Sequence, residues 1–268
     1  MNLERTLVPV AIGLALSASV LAGVLPTSQK DNGWFSGAEA QLQQKLSLKS
    51  SDKAKNVILF VGDGMGVSTL TAARILEGQR QGRPGEENLL SFESFPFSTL
   101  VKTYNTDAQV PDSAGTMTAM MSGLKTDAGV LGVDEDVQRG DCSTVAGNEV
   151  VTALELAEIK GLSTGVVSTA RITHATPAAT YAKSAERNWE DISDMPADAV
   201  QAGCKDIADQ LVRFEQLLEQ RYAGVDIDGI DVVMGGGRRH FLPRDSTFNS
   251  PDAVSYTHLR AHETGRNL

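Results

Sequence analysis

The spacing of apolar positions changes period along the chain. Val57-Ile58-Leu59-Phe60-Val61 is an unbroken apolar run of the length of a buried strand, and it ends in Gly62-Asp63-Gly64-Met65-Gly66. Ser68–Gln79 follows with helical periodicity, so strand, glycine turn and helix are predicted in that order. The order then recurs. Glu149–Lys160 reads as a helix closed by Gly161, Gly165–Thr169 as a strand, and a polar loop leads to Pro177 as a first helical residue. Asp206–Tyr222 places Ile207, Leu211, Phe214, Leu217 and Leu218 on one side of a predicted helix, and Ile230–Met234 reads as a strand before Gly235-Gly236-Gly237. Strands that alternate with helices predict an α/β fold, a mostly parallel central sheet with helices on both faces. Ligands of such sheets sit beyond the carboxyl ends of the strands, which singles out Asp63 and the loop Thr169–Thr176.

The two ends follow other rules. An almost continuous apolar run from Leu7 to Leu25, preceded by Arg5 and containing Val20-Leu21-Ala22 as a small-residue cleavage pattern, predicts an export signal over 1–22. The other reading of that run is an uncleaved membrane anchor. Residues 31–55 are polar and helix-prone, an arm ahead of a core placed at 56–245 within a domain ending near 253. From Val254 the string VSYTHLRAHETGRNL breaks the rhythm and reads as a non-native tail over 254–268, so its His258 and His262 are not taken as a metal pair.

Composition narrows the function. With 268 residues, 41% hydrophobic and 22% charged, the chain can bury one large core. A net charge of -10 argues against nucleic acid, whose backbone needs clustered Lys and Arg. A phosphate ester stays admissible where a metal or an arginine reverses the local field. Cys142 and Cys204, the only cysteines, either pair in an oxidising compartment or are separate buried thiols.

The glycine turn after the first strand has the spacing GxGxG, and Arg83 stands about twenty residues beyond Asp63, where a dinucleotide site needs an acid, so that reading fails. Asp63 between glycines suits a hard metal ion or, equally, the backbone donors of a turn. Asp112 is a favoured helix cap ahead of Ser113. Ser113 lacks the G-x-S-x-G elbow of the α/β-hydrolases, so metal activation at an anion-attracting helix start is what would make it a nucleophile. Thr176 can cap the helix that Pro177 begins, His174 can hydrogen-bond within its loop, and Arg187 can be a solvated charge. Each explanation suffices alone, but one sheet edge would collect all of these groups.

Four blocks, NVILFVGDGMGVSTLTAARIL, KTYNTDAQVPDSAGTMTA, VVSTARITHATPAATYAKSAERNW and DVVMGGGRRHF, together resemble the first half of an alkaline phosphatase of the animal-type branch, from Trp34 to Pro243. The resemblance implies that Asp63 is the carboxylate shared between a catalytic zinc and a magnesium site, that Ser113 is phosphorylated in turnover, and that Asp112 orients Ser113 and Arg187. It likewise implies Thr176 as a magnesium ligand, His174 as the imidazole beside that ion, and Arg187 as the clamp on the phosphate. Two Zn²⁺ and one Mg²⁺, phosphate monoesters as substrates, a Cys142–Cys204 disulfide, an exported protein and a homodimer embraced by the arm Trp34–Leu46 belong to the same implication. No stable membrane span is expected. The family's other zinc and magnesium ligands lie in its second half, so the 268-residue chain by itself is expected to be an incomplete enzyme. The rival readings are a related phosphodiesterase or sulfatase, and an exported metal- or phosphate-binding protein without catalysis. The context PDSAGT lacks a sulfatase signature, and diesterases usually use threonine.

Overall fold

The computed structural model describes residues 33–47, 54–222 and 224–242, so the expected signal over 1–22, the expected tail over 254–268 and the pair His258 and His262 lie outside the described residues. The described residues fall into two compact units, the first taking 33–47, 54–60 and 65–100, the second 61–64, 101–222 and 224–242.

The first unit holds α1 (Gly33–Ser47), within the expected arm, and α2 (Val67–Arg80), within one residue of its predicted span at each end. The backbone folds back behind α2, where a Cβ on Gly78 would lie 2.6 Å from the Gly85 Cα. Val57–Phe60 corrects the sequence reading. These side chains are exposed, and the segment enters no β-ladder among the described residues. A strand exists only through its pairing partner, and an apolar run without one is simply extended chain.

In the second unit, β1 (Gly165–Arg171) pairs in parallel with β2 (Val232–Gly236), two residues later than the strand read at 230–234. Gly165 stands opposite Val232 and Val167 opposite Met234, and the register shifts before Arg171 meets Gly236. α3 (Ser113–Ser122) starts on Asp112 and stops at Gly123, whose φ of 80° only glycine adopts freely. α4 (Ala153–Ile159) begins later than the predicted Glu149. Thr152 and Glu155 form a reciprocal capping box, with the Thr152 amide on Glu155 Oε2 at 2.8 Å, and that fixes the helix start. After β1 come the short helices α5 (Ala175–Ala178) and α6 (Ala197–Gln201).

The helix predicted over 206–222 is two helices, α7 (Ile207–Val212) and α8 (Phe214–Arg221), because the backbone leaves helical geometry at Arg213 (φ -104°, ψ 22°). Its apolar stripe survives the break. Ile207, Phe214 and Leu218 are buried and Leu211 packs beside them, in a core shared with Met117, Leu131, Leu154 and Val166. Each such side chain stabilises the fold by about 2 kcal/mol relative to exposure. A second cluster gathers Val130, Val133, Val137 and Trp189 around the Cys142–Cys204 disulfide, whose Cα atoms are 5.8 Å apart. Helices and a parallel sheet give the α/β class, and no helix among the described residues is long and apolar enough to cross a membrane.

Candidate active site

The site is built on the start of α3. Asp112 is extended (φ -111°, ψ 166°), which turns its carboxylate back over the first helical turn. Oδ1 accepts from the Gly115 amide and from Asn105 Nδ2, both at 3.0 Å. Oδ2 accepts from the Gly129 amide and from Arg187 Nη1, both at 2.9 Å. The cap expected of Asp112 is therefore present, and the same carboxylate fixes a guanidinium 75 residues away in sequence. Burial would raise the Asp112 carboxyl, but the Gly115 amide, Arg187 and Asn105 outweigh it and hold the group below its usual value. With four donors on two oxygens, Asp112 is an anchor and has no free lone pair aimed at a serine proton. Ser113, half-buried, is the first residue of α3 and sits at the positive end of that helix.

Asn105 and Gly129 went unnoticed in the sequence. Asn105 closes a local turn, accepting the Ala108 amide on its carbonyl and donating its own amide to Ala108, and nothing in TYNTDA points to Asp112 as its side-chain partner. A Cβ on Gly115 would stand 2.8 Å from Asn105 Oδ1, so the helix start and the asparagine fit only without one. Gly129 (φ 88°) gives its amide to Asp112, while its carbonyl takes the Arg187 amide at 2.8 Å. The loop thus holds both ends of the Asp112–Arg187 pair. A side chain at Gly129 would meet the Arg139 guanidinium, which is paired with Glu186.

Beyond β1, Thr176 does not cap a helix opened by Pro177. α5 starts two residues earlier, with His174 at the cap position and Pro177 inside the first turn, where its missing N–H costs nothing. The Thr176 hydroxyl is released from capping and donates to Asp63 Oδ2 at 2.8 Å. Asp63 is exposed. Two oxygens brought together from positions 113 residues apart in sequence, one of them a carboxylate, are a donor set suited to a hard cation, so these residues fit a magnesium-type ion.

His174 lies next to Arg187, with Nε2 3.3 Å from Nη2. An arginine can only donate, so Nε2 is the acceptor and the proton sits on Nδ1, which is buried without a partner among the described residues. Burial first, then the charges of Arg187 and Arg171, lower the His174 pKa and keep the ring neutral near neutral pH. The structure therefore links Asp112, Arg187 and His174 in one chain of contacts and Asp63 with Thr176 in another.

The sequence profile of the alkaline phosphatase family matches residues 54–268. The tissue-nonspecific alkaline phosphatase of Homo sapiens is 46% identical over 237 residues, covering 87% of this chain and 43% of that protein. The alkaline phosphatase of Gadus morhua is 48% identical over 241 residues, covering 88% of this chain and 47% of its own length. A cold-active alkaline phosphatase from a psychrophilic Shewanella sp. aligns in structure with a TM-score of 0.48 and 28% identity, over 68% of this chain and 36% of that one. The chain spans less than half the length of these curated relatives, and it belongs to the alkaline phosphatase family.

Proposed function

We propose that this chain carries the nucleophile, the phosphate clamp and part of the metal site of a phosphomonoesterase that works through a phosphoserine. The observation that supports this most is the Asp112 carboxylate, which caps the helix beginning at Ser113 and at the same time holds Arg187. In the proposed reaction, Ser113 Oγ attacks phosphorus in line, the bond from phosphorus to the ester oxygen breaks, and the alcohol leaves. Water then attacks the phosphoserine, which releases inorganic phosphate and restores the Ser113 hydroxyl. Arg187, braced by Asp112 through Nη1 and by His174 through Nη2, offers the N–H groups not so engaged to two phosphoryl oxygens. The start of α3 adds a partial positive charge to the same oxygens. His174 stays neutral beside Arg187 and adds no competing cation.

Asp63, Thr176 and Ser113 are the residues of this chain that would hold metal, with His174 beside them, in a site taken to use two Zn²⁺ and one Mg²⁺. When bound, these ions supply acidification of the serine hydroxyl and charge for the departing oxygen. The disulfide supports an exported, oxidising location, and α1, with Leu42 exposed, supports an arm that meets a second subunit.

The test is calorimetric titration of the purified chain with inorganic phosphate in the presence of magnesium and zinc. Binding is expected, and Arg187→Ala should weaken it by about tenfold or more, the worth of a charge-assisted hydrogen bond. Equal phosphate affinity in the two proteins would overturn the assignment of Arg187 as the clamp.

A further inference from the structure

One group of titratable side chains in the second unit has no part in the site above. The 3₁₀ turns Ile192–Asp194 and Arg238–Phe241 bring Asp191, Asp194 and His240 together, one donor atom from each lying within 4.8 Å of the others. His240 Nδ1 is 2.5 Å from Asp191 Oδ2 and 3.9 Å from Asp194 Oδ2. His240 and Asp191 are buried while Asp194 is exposed, so the group opens to solvent on one side.

The charges do not balance. Among the described residues, His240 is the only basic side chain within 4.0 Å of Asp191 or Asp194. Asp191 Oδ1 is occupied by the Ser193 amide and hydroxyl, at 2.8 and 2.7 Å, which leaves Oδ2 facing the ring.

The far edge of the ring supplies an independent observation. Metal-binding histidines hand their second ring N–H to a carboxylate or carbonyl, which fixes the ring and directs the other lone pair at the ion. Here Glu190 Oε2 lies 3.2 Å from His240 Nε2. Glu190 is itself immobilised by Arg171, whose Nε reaches its two oxygens at 3.0 and 2.8 Å, and by the Thr173 hydroxyl at 2.6 Å. A proton placed on Nε2 would be within reach of Glu190, and Nδ1 would then present its lone pair between the two aspartates. Arg239 Nε also lies 3.2 Å from Nε2 and serves the opposite tautomer, in which Nδ1–H is given to Asp191.

We propose that Asp191, Asp194 and His240 Nδ1 bind a borderline divalent cation of the zinc class, with Glu190 as the carboxylate that orients the imidazole. One nitrogen and two carboxylate oxygens, with a solvent-facing side for water, meet the preferences of zinc. Calcium takes about six to eight oxygens, more than this group offers. None of Asp63, Ser113, Thr176 or Arg187 contributes a ligand atom, so the site is separate from the candidate active site. Binding draws the exposed Asp194 inward and moves the imidazole proton from Nδ1 to Nε2.

The test uses the purified, metal-free chain titrated with Co²⁺ and followed by visible absorption, with Zn²⁺ as competitor. Asp63→Asn removes the active-site carboxylate and is expected to leave this binding intact. Asp194→Ala removes an exposed ligand without opening the core and should lower affinity on the order of 100-fold; Glu190→Gln should lower it by about 10–100-fold. Nitrogen-15 shifts of the His240 ring should report the change of tautomer on adding Zn²⁺. Unchanged affinity in Asp194→Ala, no binding at all, or binding lost in Asp63→Asn and kept in Asp194→Ala would each overturn the proposal and leave His240 as a hydrogen-bonded core residue.

Discussion

Arg187 Nη1 donates to Asp112 Oδ2 at 2.9 Å, joining the start of the serine helix to a loop 75 residues later. The same carboxylate caps α3, so local helix stability and the position of the clamp depend on one side chain. Asp112→Ala should therefore cost about 1 kcal/mol for the cap and about as much again for Arg187 and the stranded amides. A lower urea midpoint with unchanged slope is the expected readout.

The charge on Asp112 also sets an acid limit. Its carboxyl titrates below the usual value of 3.8 in the fold. It thus contributes stability that is present above the unfolded value and is lost as pH falls through the lowered folded value. Asp112→Asn keeps a capping oxygen but not the charge, so its stability should fall less steeply on acidification than that of the native chain. Parallel acid curves for the two proteins would contradict the role given to Arg187.

Asp206 works in the opposite sense. It caps α7 through the Asp209 amide at 2.8 Å, yet burial, with Asp209 and Asp191 adding negative charge, raises its carboxyl from 3.8 to about 7. A raised folded value means that its contribution is fully present below the unfolded value and is lost as pH rises from about 3.8 through about 7. Asn caps as well as Asp and carries no charge. Asp206→Asn should accordingly be more stable than the native chain above pH 7, by about 2–4 kcal/mol, and closely matched to it in acid. Thermal melts at the two extremes measure both limits.

What the sequence conveyed and what it concealed divide along physical lines. α2, β1 and the capping of α3 by Asp112 follow from local period and local chemistry, and they stand where the sequence placed them to within two residues. Val57–Phe60 and the break at Arg213 do not, since a strand depends on a distant partner and a single dihedral can divide a helix without disturbing its apolar stripe. Thr176 can cap only a helix that Pro177 opens, yet any position of the first turn accepts proline, so the sequence leaves the cap and the contact with Asp63 undecided. The Glu190–His240–Asp191 contacts bridge segments about fifty residues apart with no recurring spacing, so no local pattern announces them.

Gly129 gives a sharp test of the loop that couples Asp112 to Arg187. At φ 88°, with the Arg139 side chain where a Cβ would go, Gly129→Ala meets backbone strain and overlap together. A cost of about 1–3 kcal/mol is expected from the conformation alone. Phosphate affinity should fall as well, because both partners of the clamp hang on this residue. Gly140→Ala, whose added Cβ meets nothing within 4 Å, is the control for strain without overlap and should leave phosphate affinity unchanged.

The Cys142–Cys204 bridge encloses a sequence separation of 62 residues beside the cluster of Val130, Val133 and Trp189. On the chain-entropy view, closing a loop of that size stabilises the fold by about 4 kcal/mol. Reduction, or Cys142→Ser with Cys204→Ser, should lower the unfolding midpoint accordingly. Thiol titration of the unreduced, denatured chain should find no free thiol, and two free thiols would contradict the pairing.

The last prediction concerns turnover by the chain itself. Asp63, Thr176 and Ser113 offer oxygens, and His174, the one imidazole in their vicinity among the described residues, has Nε2 engaged with Arg187 and Nδ1 buried. A catalytic zinc takes about three protein ligands, commonly with histidine among them, and keeps one position open. The residues gathered here satisfy a hard, oxygen-seeking ion better than a zinc pair. With zinc and magnesium present, the 268-residue chain should hydrolyse a simple aryl phosphate no faster than its Ser113→Ala variant, while the phosphate binding proposed for Arg187 and the start of α3 should persist. Zinc-dependent turnover that disappears in Ser113→Ala would show that the chain supplies nitrogen ligands that this arrangement does not provide.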